Sequence, residues 1–376
     1  MSMLRVLHVI PAPTAGGAQR DVLDLLPSLA AAGIDVGAVA IYQSNLAPEH
    51  EPGLGESVAS IGRRGRRDYS FVPALVRRIR AFRPDVVHTH AHAGKYWGRP
   101  AARIAGVRAI VHTEHYPGGL RRTLAEKFLD RICGAFTDRF VLFFPEQGEL
   151  LARREAISPE KIAFIPNGLT ETAVERRGSR AAMRRAQSIP DDRFAIVMIG
   201  GLAQHKNHAL AFHAIARLEP KLRERIALYV IGAGVRENAL RNLSREIGIG
   251  ACTRFLGYRN DAVELLSGAD VLLNTSQSEG MPIALVEAML ANVAIVTTPW
   301  LGATSMLDGG NLGFMATGWE PRHVAGALER ALTDGGKRAR CVALAHRRAR
   351  TDYTLSRAAG AHVRLYESVV RRGAAT

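Results

Sequence analysis

Short apolar runs alternate with amphipathic stretches along the whole chain. Residues 4–10 form an apolar run of strand length. Residues 18–33 place Val22, Leu25, Leu26 and Leu29 at helical spacing before Gly33 stops the pattern. Residues 35–41 have strand character again, and 85–88, 108–112, 140–143 and 162–165 are further short apolar segments between helical ones. Strands alternating with helices of this length predict βαβ units around a parallel sheet. From Arg176 to Asp192 the pattern lapses into a polar, Arg-rich stretch. It then restarts, with strands predicted at 194–199, 226–231, 253–256, 270–274 and 293–297 and helices at 207–218 and 235–247.

The two halves open alike, each as strand, Gly-Gly loop and helix: LHVIPAPTAGGAQRDVLDLL and AIVMIGGLAQHKNHALAFHA. This weak internal symmetry predicts an α/β protein of two Rossmann-like domains, with the switch near residues 168–192. Such folds bind ligands outside the carboxyl ends of their strands, so a cleft between the domains is the expected site.

Composition narrows the class. Of 376 residues, 47% are hydrophobic and 23% charged, which excludes a disordered chain. Lys+Arg (50) exceed Asp+Glu (35), for a formal net charge of +15. The excess is mostly Arg and divides almost evenly between the halves, so it argues only weakly for a nucleic-acid partner. Aromatic residues are 6% and no RNP, KH or zinc pattern occurs. Cys133, Cys252 and Cys341 are odd in number and far apart, so neither a disulfide framework nor a zinc site is indicated, and a reducing compartment fits. The apolar run at residues 6–10 is too short for a signal-peptide core, and no stretch approaches the ~20 residues that span a bilayer. The expectation is a cytoplasmic protein, with attachment to a membrane surface open.

Four constellations carry candidate chemistry. Gly16-Gly17 ends the first strand, where a tight turn or a close approach of backbone to an anion would need glycine. The spacing is not GxGxxG. GGLAQHKNH, residues 200–208, stands at the same place in the second half, with Lys206 near the following helix as a point charge for phosphate. In SEGMPIALVEAML, residues 278–290, Glu279 precedes a Gly-x-Pro turn and Glu287 lies in the helix predicted to begin near Pro282. A carboxylate in so apolar a run needs a partner. Last, HTHAH at 88–92 and HTEH at 112–115 fall at strand ends. They read as histidines that hydrogen-bond a polar ligand or, less readily, as metal ligands, since HTEH is not the helical HExxH arrangement.

Together these residues resemble glycosyltransferase family 4, retaining enzymes of the GT-B fold that use nucleotide-diphosphate sugars. The resemblance covers nearly the whole chain. It rests on GGAQR (16–20), GGLAQHKN (200–207), IPNG (165–168), SEGMPIALVEAM with its two glutamates, and DGGNLGF (308–314) followed by GWEPRHVAGAL. It implies two Rossmann-like domains facing across a deep cleft. These are an acceptor domain at 1–172 and a nucleotide-sugar domain at 190–353, with the last helix, in 354–376, crossing back onto the first domain.

By the same resemblance Glu287 would bind the ribose hydroxyls, and Glu279 with the backbone of Gly280, Met281 and Pro282 would hold the donor sugar and diphosphate. Lys206, beside Asn207, would neutralise the leaving diphosphate, and Gly16 and Gly17 would close on its other side. His115 would lie near the transferred sugar, and Glu279 and His115 would be the catalytic pair. One departure stands out: the motif's arginine is Gly201 here. No Asp-x-Asp occurs, so no metal or other cofactor is implied, and Lys and backbone donors would stabilise the leaving group.

The resemblance further implies a retaining, front-face hexosyltransferase that takes a UDP- or GDP-type sugar to a glycan or lipid-linked acceptor in bacterial polysaccharide or glycolipid synthesis. The acceptor is expected on the first half, where arginines cluster at Arg63, Arg64, Arg66 and Arg67 and at Arg77, Arg78, Arg80 and Arg83. The second cluster lies in FVPALVRRIRAF, which could rest on an anionic inner-membrane face or could simply pack on the sheet. Two other classes compete: a nucleic-acid binder using the net charge, and a GT-B nucleotide-sugar epimerase needing no acceptor.

Overall fold

A computed structural model of the chain describes residues 3–12, 17–43, 58–65, 67–115, 123–170, 180–259 and 261–374. Gly16 lies outside the described residues, and Gly17 opens the Gly17–Ala31 helix. The chain divides into two compact units, Met1–Gly168 with Leu355–Thr376, and Leu169–Thr354.

The first unit is built on seven parallel strands: β1 (Arg5–Ile10), β2 (Asp35–Ala40), β3 (Val58–Ser60), β4 (Val86–His90), β5 (Ala109–Thr113), β6 (Arg139–Leu142) and β7 (Ile162–Phe164), in the order β3-β2-β1-β4-β5-β6-β7. Helices cover both faces, so the central strands are apolar on both sides and read as continuous runs. On one face Val6, Val86 and Val111 pack with Leu25 and Leu29 of the first helix and with Leu355, Ala358, Tyr366 and Val369 of the last helix, Leu355–Ala374. On the other, Leu7, Val9 and Val87 pack with Leu75 and Ile79 of the Phe71–Phe82 helix.

The second unit repeats the plan with β8 (Phe194–Ile199), β9 (Ile226–Ile231), β10 (Thr253–Gly257), β11 (Val271–Asn274), β12 (Ala294–Thr297) and β13 (Phe314–Met315), in the order β10-β9-β8-β11-β12-β13. Both sheets reverse direction at their first strand, which is the doubly wound arrangement with its switch point beside β1 and β8. At that point the backbone after β8 meets the backbone after β9. A Cβ on Gly232 (φ +140) would sit 2.0 Å from the Gly200 carbonyl oxygen, so only glycine fits.

The predicted runs correspond to strands within a residue or two. β3 and β13, three and two residues long, are too short to show a period. The polar stretch after the first unit contains a helix, Arg180–Ala186, pinned by Arg184 to the carbonyls of Gly268, Pro190 and Arg193. The Arg-rich Phe71–Phe82 helix buries Phe71, Leu75, Val76 and Ile79. Its apolar face packs on the sheet, the second of the two readings left open by the sequence. Arg63 is likewise engaged, stacking on Tyr42, Phe71 and Trp97 and donating to the Tyr42 hydroxyl at 2.8 Å.

Candidate active site

The carboxyl end of the second sheet gathers most of the residues singled out in sequence. Lys206 closes a 3-10 turn, Gln204–Lys206, and Asn207 (φ +50) turns the chain into the His208–Ala216 helix. Lys206 Nζ lies 2.7 and 2.9 Å from the two carboxylate oxygens of Glu279, a bidentate pair whose glutamate is buried (8% side-chain exposure) and whose lysine is partly open (22%). Oε1 of Glu279 also accepts from the Ser276 hydroxyl and from Asn274 Nδ2 (3.4 Å). Asn274, at the last position of β11, is itself fixed by Thr297, whose hydroxyl accepts from Trp300 Nε1 at 3.0 Å. Glu279 is therefore held from two strand ends.

The loop that carries it is tied to the loop after β8: Thr275 Oγ1 donates to the Asn207 carbonyl (3.0 Å) and Gln277 N to the His205 carbonyl (2.7 Å). Ser278, Glu279, Gly280, Met281 and Pro282 are all buried. The hydroxyl of Ser278 has no hydrogen-bond partner among the described residues. A buried hydroxyl that the chain leaves without a partner is able to meet a polar ligand or a water. The helix predicted from Pro282 runs Ile283–Leu290 with Pro282 as N-cap and no side-chain cap. Glu287 lies in its second turn, half-buried rather than enclosed.

The structure adds a cation that sequence reasoning missed. Arg236 donates its backbone N–H to the Leu202 carbonyl at 3.3 Å, on the loop after β8. Its charge follows that of Lys206 among the influences that hold the buried His208 down to about 4, the largest being burial itself. Gly201, where the resemblance expects arginine, is exposed, and a Cβ there would meet nothing nearer than the Ala233 carbonyl at 3.8 Å. Space is not what keeps an arginine out.

The carboxyl end of the first sheet holds histidines. In-register pairing places His8 beside His88 and Thr89 beside His112. Strand alternation then puts His8, His88 and His90 on one face and His112 on the other. On the first face a hydrogen-bonded chain runs from β5 to the last helix and back to His115. Thr113 Oγ1 to His88 Nε2 is 2.7 Å and His88 Nδ1 to Tyr366 Oη is 2.7 Å. Tyr366 Oη to His8 Nε2 is 3.5 Å, His8 Nδ1 to His90 Nε2 is 2.9 Å, and His90 Nδ1 to His115 Nε2 is 3.1 Å. A neutral imidazole has one donor and one acceptor nitrogen, so fixing one proton orders them all. Burial is the main cause that keeps these rings neutral: His8 is pushed down to about 3, His115 and His362 to about 4, and His88, His90 and His112 well below the usual range.

His8, His88 and His90 offer ligand atoms within 4.8 Å of one another, close enough to hold a metal ion. Every ring nitrogen of the three already has a partner within the chain, however, so a metal would have to break it. His8, Tyr366 and His362 were not visible as site residues: the first sits inside an apolar strand and the others some 280 residues beyond His88.

Two doubly wound units with polar clusters at their strand ends are the plan of the GT-B fold. Two family models match, Glycosyltransferase Family 4 over residues 15–172 and Glycosyl transferases group 1 over residues 179–348. The chain belongs to the GT-B glycosyltransferases of the family 4 type. It is 26% identical over 314 residues to the UDP-Gal:alpha-D-GlcNAc-diphosphoundecaprenol alpha-1,3-galactosyltransferase of Escherichia coli, covering 79% of this chain and 80% of that protein. It is 27% identical over 282 residues to the D-inositol 3-phosphate glycosyltransferase of Stackebrandtia nassauensis, covering 69% and 62%. Among solved structures, Anabaena HepE in complex with UDP and glucose superposes with a TM-score of 0.81 at 17% identity, covering 97% of this chain and 100% of that one. That likeness concerns the fold.

Proposed function

We propose that the protein transfers a hexose, with retention, from a nucleoside-diphosphate sugar to a glycan or lipid-linked acceptor in bacterial polysaccharide or glycolipid synthesis, at the cytoplasmic face of the membrane. The observation that carries this reading is the Lys206–Glu279 pair at the carboxyl end of the second sheet, its glutamate buried and its lysine partly open. The pair is the resting state of the donor site. When donor binds, Lys206 turns to the diphosphate and Glu279 to the sugar hydroxyls. Lys206 then meets the charge that grows on the leaving phosphate as the anomeric C–O bond breaks. The backbone of Gly280 and Met281 and the uncapped start of the Ile283–Leu290 helix, which follows Pro282, supply N–H donors to the same anion. Glu287 takes the ribose hydroxyls. This arrangement needs no metal ion. Arg236 stands in for the arginine that Gly201 replaces.

In the first unit, His115 is a neutral imidazole held through Nε2, and it is assigned to the transferred sugar. The relatives favour UDP over GDP: one is a UDP-Gal enzyme whose acceptor is joined to diphosphoundecaprenol, and HepE was solved with UDP.

A thermal-shift screen of UDP-, GDP- and ADP-sugars tests the donor, with stabilisation expected for one base. Glu287→Ala should lose that shift, while His115→Ala should keep it and lose turnover. Wild-type turnover in both variants sinks the site assignment. Conversion of donor to an epimer without acceptor would favour the epimerase instead.

A further inference from the structure

The Leu124–Ala135 helix is built inside out. Its buried positions are Asp130, Cys133 and Gly134. Leu124 (83% exposed), Phe128 (65%), Leu129 (45%) and Ile132 (44%) face solvent. Leu124, Phe128 and Ile132 follow one another at intervals of four, so they form a single row along the helix, with Leu129 beside it. Single exposed apolar side chains are ordinary on a protein surface; four large ones on one helix face mark an interaction site.

The anchoring of this helix is polar. Asp130 Oδ1 accepts from the Tyr96 hydroxyl at 2.7 Å and lies 3.0 Å from Lys95 Nζ, a lysine that is itself buried and also pairs with Glu114 and Glu155. A capping box between Thr123 and Glu126 starts the helix. The inner face and the cap thus hold the helix in place, while Leu124 and Phe128 keep most of their surface in solvent.

The charges on the outer side have one sign. Lys127 and Arg131 are exposed and make no side-chain ion pair or hydrogen bond among the described residues. The two acids of the helix are occupied elsewhere, Glu126 in the cap and Asp130 inside. Within this helix the exposed charges beside the apolar row are cations, and such a face complements a surface that is apolar beneath an anionic layer.

We propose that the outer face of the Leu124–Ala135 helix docks on an anionic lipid bilayer. Leu124, Phe128, Leu129 and Ile132 enter the acyl boundary, and Lys127 and Arg131 lie at the lipid phosphates. The proposal replaces the Phe71–Phe82 helix, whose apolar face is buried, as the membrane contact. It rests on the proposed function for its purpose, which is to bring the enzyme to a lipid-linked acceptor. Its test uses neither donor nor acceptor, so the two can fail separately.

The full chain is sedimented with phosphatidylcholine vesicles, with and without phosphatidylglycerol. Binding is expected with the anionic lipid and should weaken with salt. The double substitution Leu124→Ser/Phe128→Ser, at exposed positions, should reduce the bound fraction about tenfold or more while leaving the melting temperature unchanged. Phe128→Trp should gain a blue-shifted emission on anionic vesicles and be quenched by brominated lipid. Three results overturn the proposal: no binding to anionic vesicles, binding that the double substitution leaves intact, or a self-associated wild type that the double substitution converts to monomer. The last would make the face an interface between copies.

Discussion

The carboxyl ends of the two sheets carry polar clusters of opposite design. In the first unit, four histidines and Tyr366 share one hydrogen-bonded chain that contains no acid, and burial keeps its rings uncharged. In the second, Lys206 and Glu279 keep full charges that neutralise each other, with hydroxyl and amide donors satisfying the carboxylate. The neutral chain can orient a group or hand on a proton, yet it supplies little field. The ion pair supplies field and can be opened by a ligand carrying its own charges. The same fold element is thus suited to positioning in one unit and to electrostatic stabilisation in the other.

The comparison breaks most sharply at Lys206. Lys206→Ala should lower turnover about 10²- to 10³-fold, the usual cost of removing a group that meets the developing charge. It should also cost about 3 kcal/mol in stability, because Glu279 is left as a buried, unpaired charge. The pair Lys206→Ala/Glu279→Gln should recover the stability and not the turnover. Denaturant midpoints and kcat for the three proteins separate the two roles.

Acid should divide the units next. His8, His88, His90, His112, His115 and His362 all have folded values below the ordinary 6.5, so the unfolded chain binds protons that the native first unit refuses. Their contribution is fully present above pH 6.5 and is lost as pH falls toward the folded values, such as about 4 for His115 and about 3 for His8. Each group can contribute up to about 1.4 kcal/mol per pH unit across that window. In the second unit His205 and His208 are depressed. Hydrogen exchange between pH 6.5 and 4.5 should therefore show the first unit opening while the second stays protected. Simultaneous opening would mean that the histidines do not set acid stability.

The smallest effect is expected at Gly201. Gly201→Arg stands at an exposed position with room for a Cβ and should tighten binding of the nucleoside diphosphate about fivefold, with no change in fold. Unchanged affinity there, together with a loss in Arg236→Ala, would sharpen the comparison by showing that Arg236 already supplies the second cation.

Much of the fold is legible in the chain because parallel strands covered on both faces are largely apolar, as β8 and β9 are throughout and as β1 is apart from Arg5 and His8. The edge strands β3 and β13 are not legible, since two or three residues carry no period. Glu279 and Lys206 could be picked out separately, one by its Gly-x-Pro turn and one by its glycine loop. Their pairing could not, because residues 73 apart meet only when β8 and β11 lie side by side. His8 reads as one polar residue in an apolar strand until in-register pairing sets it beside His88.

The amino-acid sequence by itself determined the alternation of strands and helices, the two-unit plan and the family, because local periodicity and short motifs are written in neighbouring residues. Tertiary structure alone decided which faces are spent. It buried the apolar side of the Arg-rich Phe71–Phe82 helix, while turning that of the Leu124–Ala135 helix outward. It also brought Tyr366 back across the chain to His88. Both helices show amphipathic spacing in the sequence. Which side meets the core depends on partners such as Lys95 for Asp130, which only folding places beside them.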